Sequence, residues 1–236
     1  MKIARIVLLL AVVAALLLLS AGPGTRFGLW EFGTGFLLMR WAFFGGVAAV
    51  LLAIVLLVVP TTRRAAAPML AAAVLIGALT AWVPWNGLQT VRSLPFIHDI
   101  TTDTEDPPVF VAVLPLRADA ANPPEYPGEE VAQQQREAYP EVQPILTQLS
   151  AAEAFDRAEN VARELGWEIV TTVPQDGRIE ATDTTFWFGF KDDIVIRVRP
   201  TAEGSRVDIR SKSRVGRSDV GANAARIRDF MAGFNG

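Results

Sequence analysis

The sequence predicts an all-α transmembrane region of three helices followed by an α+β soluble domain, an antiparallel four-stranded sheet with two covering helices. Three observations carry that expectation. Residues 1–85 hold three long apolar runs and one acid, Glu31, whereas residues 86–236 are charged and mixed. The second part carries four stretches that read as strands, most by period-two alternation, joined by turn residues. Two amphipathic helical stripes flank those stretches. The 236 residues thus divide into a membrane anchor over 1–85, an acidic proline-rich strap over 86–149 and the α+β domain over 150–236.

The first apolar run, residues 6–19, follows Lys2 and Arg5 and is short enough for a signal-peptide core. Extended to residues 3–21 it is long enough to cross a bilayer, and that uncleaved helix is the reading adopted. The second span covers about 41–59, opening at Trp41 and closed by Pro60. The third covers about 65–83, with Pro68 in its first turn and Trp82 and Trp85 at its far interface. Both match a hydrocarbon core of about 30 Å at about 1.5 Å per residue. Lys2, Arg5, Arg63 and Arg64 mark the cytoplasmic ends under the positive-inside rule, against only Arg26 and Arg40 in the intervening loop. Three crossings, or two after cleavage, both leave the C-terminal domain outside, in the periplasm of a bacterial inner membrane.

The strap begins with FIHDITTDTEDPP at residues 96–108 and carries eight prolines between Pro107 and Pro144. Those prolines predict irregular structure apart from a short strand over 109–114. His98, Asp99, Asp103, Glu105 and Asp106 together offer the donors of a hard-cation site. Their spacing matches no calcium loop, His98 is the one histidine and cysteine is absent, so no metal and no cofactor are expected.

In the domain, Ser150 and Glu153 have capping-box spacing, and Phe155, Ala158, Val161, Ala162 and Leu165 form one apolar stripe ahead of Gly166. Strands are expected over 167–173, 178–188, 194–200 and 206–213, and a last helix from Ser218 or Asp219 with Val220, Ala224, Ile227, Phe230, Met231 and Phe234 on one face. With Glu203 and Gly204 as turn residues, the last hairpin pairs Thr201 with Arg206, Arg199 with Asp208, and Arg197 with Arg210. Ile194, Ile196, Val198, Val207 and Ile209 then face the core, and Arg197, Arg199, Arg206, Asp208, Arg210 and Lys212 share the other face. A cross-strand arginine pair requires a carboxylate or an anionic ligand between its members. The aromatic run 186–190 is apolar on both strand faces; one can serve the core, and the other is covered by the strap, which is the expected case, pockets a lipid-like molecule or touches the membrane.

Between Arg197 and Arg228 nine basic residues face three acids, while Asp99 to Glu164 holds fourteen acids and four bases. The acidic strap lying on the basic sheet face is the first explanation. The functional one is an anion or partner site built from Arg197, Arg210, Arg214, Arg217, Asn223 and Arg226, completed by free amides at the start of the last helix. Asn223 is also expected to tie down the 213–217 turn. No phosphate-binding glycine loop, nucleophile elbow or zinc spacing is present. Asp192 and Asp193 are expected in a turn, paired with arginines. On a strand they would point to opposite faces and could not share a proton.

The segments GRIEATDTTFWFGFKDDIVIRVRP and SRVDIRSKSRVGRSDVGANAARIRDF resemble the uncharacterised family DUF1499 across roughly residues 95–235. The most specific match is an RSxSRxGxSDxGxNxxRI core made by Arg210, Ser211, Ser213, Arg214, Gly216, Ser218, Asp219, Gly221, Asn223, Arg226 and Ile227. Simpler members open with Asn-Cys-Val-Ser. Phe96-Ile97-His98-Asp99 here is similar to a membrane-anchored proteobacterial subgroup, so no role tied to that cysteine applies. The resemblance implies the architecture and no activity. From the residues, the expected function is binding of an anionic envelope component (an anionic lipid or wall component) or an envelope protein by the external domain. A hydrolase or transferase using Asp183, Asp192 or Asp193 is the alternative, and nucleic acid is not an expected partner.

Overall fold

A computed structural model describes residues 1–236, which form two compact units. The first comprises Met1–Thr90 together with Phe186–Gly189, and the second Val91–Thr185 with Phe190–Gly236.

In the first unit, α1 (Lys2–Arg26), α2 (Phe32–Val58) and α3 (Pro60–Ser93) are each long and apolar enough to cross a membrane. α2 begins earlier than the sequence suggested, so only residues 27–31 separate it from α1. α3 opens on Pro60, where a missing amide costs nothing, and is kinked at Ala66 (φ −147°) just before Pro68. Small residues let these helices approach: Ala4, Val7, Ala11, Ala49, Ala53, Leu70 and Ala73 form a shared core. At the tightest point a β-carbon on Gly77 would stand 2.7 Å from the Gly46 carbonyl oxygen, so a side chain there forces α2 and α3 apart.

The second unit holds a sheet of six strands rather than four. Its main path is β6 (Gly204–Ser213), β5 (Lys191–Thr201), β4 (Arg178–Thr184) and β3 (Glu168–Val173), the predicted antiparallel meander. Two three-residue strands from the strap, β1 (Asp99–Thr101) and β2 (Ile145–Thr147), pair one after the other along the free edge of β6. The strand expected over 109–114 does not form; a 3-10 turn over Leu114–Arg117 begins at its end, and the strap also forms a helix, α4 (Glu129–Ala138). α5 (Ala151–Glu164) starts at Ser150 with both capping-box hydrogen bonds made. α5 and α6 (Ala222–Asn235) cover one sheet face with Phe155, Ala158, Val161, Ile227, Phe230 and Phe234 against Ile179, Ile194, Ile196, Val198, Val207 and Ile209.

The last hairpin differs from expectation by two residues. Its turn is Ala202-Glu203, and the pairs are Thr201 with Gly204, Arg199 with Arg206, Arg197 with Asp208, and Val195 with Arg210. A two-residue shift preserves the faces, so the expected core and polar sets both stand. Gly204 (φ +142°) crosses close to the Thr147 carbonyl, and this contact sets the turn one residue earlier.

Candidate functional site

The sheet face away from α5 and α6 is a lattice of buried charge. Along β6 the alternate residues Arg206, Asp208, Arg210, Lys212 and Arg214 point to it, and the strap supplies their partners. Arg210 donates to both Asp99 oxygens (2.9 and 2.8 Å) and to the carbonyls of Pro108 and Pro124. Its guanidinium lies 4.7 Å from the Phe110 ring centre and 5.5 Å from that of Tyr126. Lys212 donates to the same carboxylate at 2.9 Å, and both cations are 1 % exposed. Burial lowers the Lys212 pKa further than Asp99 raises it. Burial, then the Asp99 charge, pushes the Tyr126 phenol up to about 12.

Two further carboxylate centres complete this face. Asp208 and Asp103 lie among Arg197, Arg199 and Arg206, all within 3.3 Å. In the last hairpin the like-charged cross-strand pair is Arg199–Arg206 in place of the expected Arg197–Arg210, and the strap carboxylate of Asp103 lies between its members. Burial raises the Asp103 pKa, but the amides of Asp106 and Glu105 and the charges of Arg206 and Arg197 bring it below the usual value. Asp193 takes Arg117 (2.6 Å), Arg214 (2.7 Å) and the Thr182 hydroxyl (2.7 Å), which outweigh its burial and lower its pKa. Glu180, 0 % exposed, accepts the amides of Val111, Ala112 and Val113, each at 3.0 Å. These amides bind a carboxylate instead of the predicted strand partner.

On the helix side a second network joins β4, β5, β6 and α6. Arg226 donates to Asp183 (2.7 Å) and Asp192 (2.8 Å), and to Ser211 and Asn223. Asn223 accepts from Ser211 and donates to Ser213 and the His98 carbonyl, so it ties the start of the 213–217 turn, as expected, and also the residue ahead of β1. Asp192 and Asp193 lie on β5, not in a turn, and point to opposite faces. α6 starts at Ala222, later than Ser218 or Asp219. The Asp219 carboxylate accepts the amides of Gly221 (3.0 Å) and Asn223 (2.8 Å), so the free amides imagined for an anion are occupied. Burial raises the pKa of Asp192 and of Asp219 despite these donors.

The family model described as Protein of unknown function (DUF1499) matches residues 99–234. The chain belongs to this family. A search of curated proteins found no match. In this DUF1499 domain the motif residues Arg210, Ser211, Ser213, Arg214, Asp219, Asn223 and Arg226 all take part in the lattice, and Gly216 (φ +93°) and Gly221 (φ +81°) supply its left-handed turns.

Arg197, Arg210, Arg214, Asn223 and Arg226 are thus tied to acids, carbonyls or hydroxyls of the domain itself. Arg217 differs: it is exposed, makes no ion pair, and lies 5.4 Å from the Phe96 ring centre. It borders an open cleft of about 210 Å³ with Phe96, Ile97, His98, Pro127 and Val131. Burial, followed by the Lys212 charge, lowers the His98 pKa and favours the neutral imidazole there. A second cleft of about 210 Å³ reaches Asp183, Arg226, Asp229 and Trp167. Sequence reasoning placed Lys212 on this face but did not name Asp99, Arg117 or Glu180 as members of the lattice. Its one available signal was the surplus of acids in the strap, which names no pairs.

Proposed function

We propose that this DUF1499 member is a multi-pass protein of a bacterial inner membrane whose C-terminal domain faces the periplasm and binds an anionic envelope component or protein partner. The observation that carries the reading is Arg217, the single nominated residue left exposed and without an ion pair, beside a cleft that Phe96, Ile97, Pro127 and Val131 line together with His98 and Asp99, the latter already held by Arg210 and Lys212. The rest of the nominated set forms the frame that holds it. The basic residues at 2, 5, 63 and 64 support the orientation. α1 packs its alanines against α2 and α3, which supports its retention as an uncleaved helix. The test is a melting-temperature series of the full chain with inorganic phosphate, polyphosphate, anionic glycans and anionic lipids. A saturable upward shift that disappears in Arg217→Ala supports the reading; the absence of any shift in the parent protein counts against it.

A second reading is a hydrolase or transferase acting on an anionic substrate. Asp183 and Asp192 face each other in register across β4 and β5 and share Arg226, with the Asp192 pKa raised by burial and Asp183 at a cleft. Turnover lost in Asp183→Asn, with the fold retained, would establish it over the first.

A further inference from the structure

The turn between β4 and β5 groups with the membrane helices rather than with the domain whose strands it joins. Phe188 packs on Phe36 of α2 with ring centres 5.1 Å apart and the planes tilted by 53°, and its ring occupies the space a side chain at Gly35 would need. The Trp187 indole fills the space above Gly22 of α1. Arg26 donates to the Phe186 carbonyl at 2.6 Å and lies 5.9 Å from the Phe186 ring centre. Gly189 (φ +70°) passes so near the Arg26 backbone that a β-carbon there would stand 3.1 Å from its Cα. Glycines at three points of contact thus admit an aromatic tip, and the strap does not cover this run.

Phe186 itself points outward. It is 85 % exposed, the highest value among the large apolar side chains, beside Phe27 at 74 % and Leu29 at 72 %. α1 rises about 32 Å between Arg5 and Arg26 at about 1.5 Å per residue, close to the thickness of a hydrocarbon core of about 30 Å. With Arg5 at one boundary, Arg26 and the ring it touches fall at the other. A phenyl ring and a guanidinium at that depth match the headgroup layer, where aromatic rings sit at the apolar edge and arginines reach phosphates.

We propose that Phe186–Gly189 is an interfacial membrane anchor, a non-helical element whose exposed Phe186, with Phe27, Leu29 and Arg26, binds the headgroup layer of the bilayer crossed by α1–α3. The proposal rests on those helices spanning a membrane. It makes the β4–β5 turn a lipid-binding element of the anchor.

The cysteine-free chain permits a direct test in vesicles of phosphatidylcholine and phosphatidylglycerol. Single cysteines at Phe186, Leu51 in the C-terminal half of α2, and Glu203 at the opposite end of β5 are labelled with an environment-sensitive fluorophore. Nitroxide lipids carrying the quencher near the headgroup or at mid-chain then report depth. The proposal expects the label at 186 to be quenched at least twofold more by the shallow nitroxide than by the deep one, and the label at 203 by neither. A label at 186 that behaves like that at 203, or is quenched best by the deep nitroxide, overturns it. Leu51 keeps the two readings apart. If its label is not quenched from mid-chain, the spanning helices themselves are wrong; if it is quenched while 186 is not, only the anchor fails.

Discussion

Asp99 accepts from Arg210 and Lys212 at 2.8–2.9 Å where water has no access, so two buried cations depend on one carboxylate. Removing it strands both. Asp99→Ala is expected to destabilise the domain by about 3–5 kcal/mol, whereas Arg217→Ala should change stability by less than about 0.5 kcal/mol; denaturant titration of the two variants measures the contrast. Asn223→Ala leaves buried donors and acceptors on Ser211, Ser213 and Arg226 unmatched, an expected loss of at least about 2 kcal/mol in the same assay. The pH dependence has a definite sign. Asp103 and Asp193 have folded pKa values below the ordinary 3.8, so the unfolded chain takes up their protons first as pH falls. Their stabilisation is complete above pH 3.8 and is lost as pH drops through the lowered values. Melting curves between pH 2 and 5 should therefore show a steep fall that is shallower in Asp193→Asn. That the 197–228 stretch supplies most of the lattice cations was legible, because nine bases there stand against three acids. Their partners were not, since Asp99 and Arg210 are 111 residues apart and no local pattern links them.

At the level of elements, alternation named the residues on each sheet face but placed the hairpin turn one residue late. The close crossing of Gly204 against Thr147 decides that turn, and β2, which brings Thr147 there, is only three residues long. Runs that short carry no readable period. α4 escaped notice because prolines dominate the strap, yet Pro127 and Pro140 bracket a segment, Glu129–Ala138, that contains none. Before α6, Val220 sits at φ +54°, a conformation that a β-branched residue adopts at a cost of about 1–2 kcal/mol. Val220→Gly should raise the melting temperature of the domain by a few degrees. In the membrane unit, Gly77→Val meets the Gly46 carbonyl and should cost about 1–3 kcal/mol, seen as a lower melting temperature in detergent.

For the whole molecule, composition was sufficient to separate apolar helices from a charged domain, because a hydrocarbon core excludes acids and residues 1–85 contain only Glu31. It could not show that Phe186–Gly189 belongs with the helices, since the same aromatics would suit a strand buried on both faces. The motif shared with DUF1499 builds the lattice that fixes the strap to the sheet, and Arg217 and its cleft remain available to a ligand. The central claim is that this domain stands outside the cytoplasmic membrane. The measurement that tests it most directly is a single cysteine at Glu203, an exposed turn residue, treated in intact cells with a membrane-impermeant maleimide. The account predicts labelling before lysis; labelling only after lysis would contradict it and invert the topology.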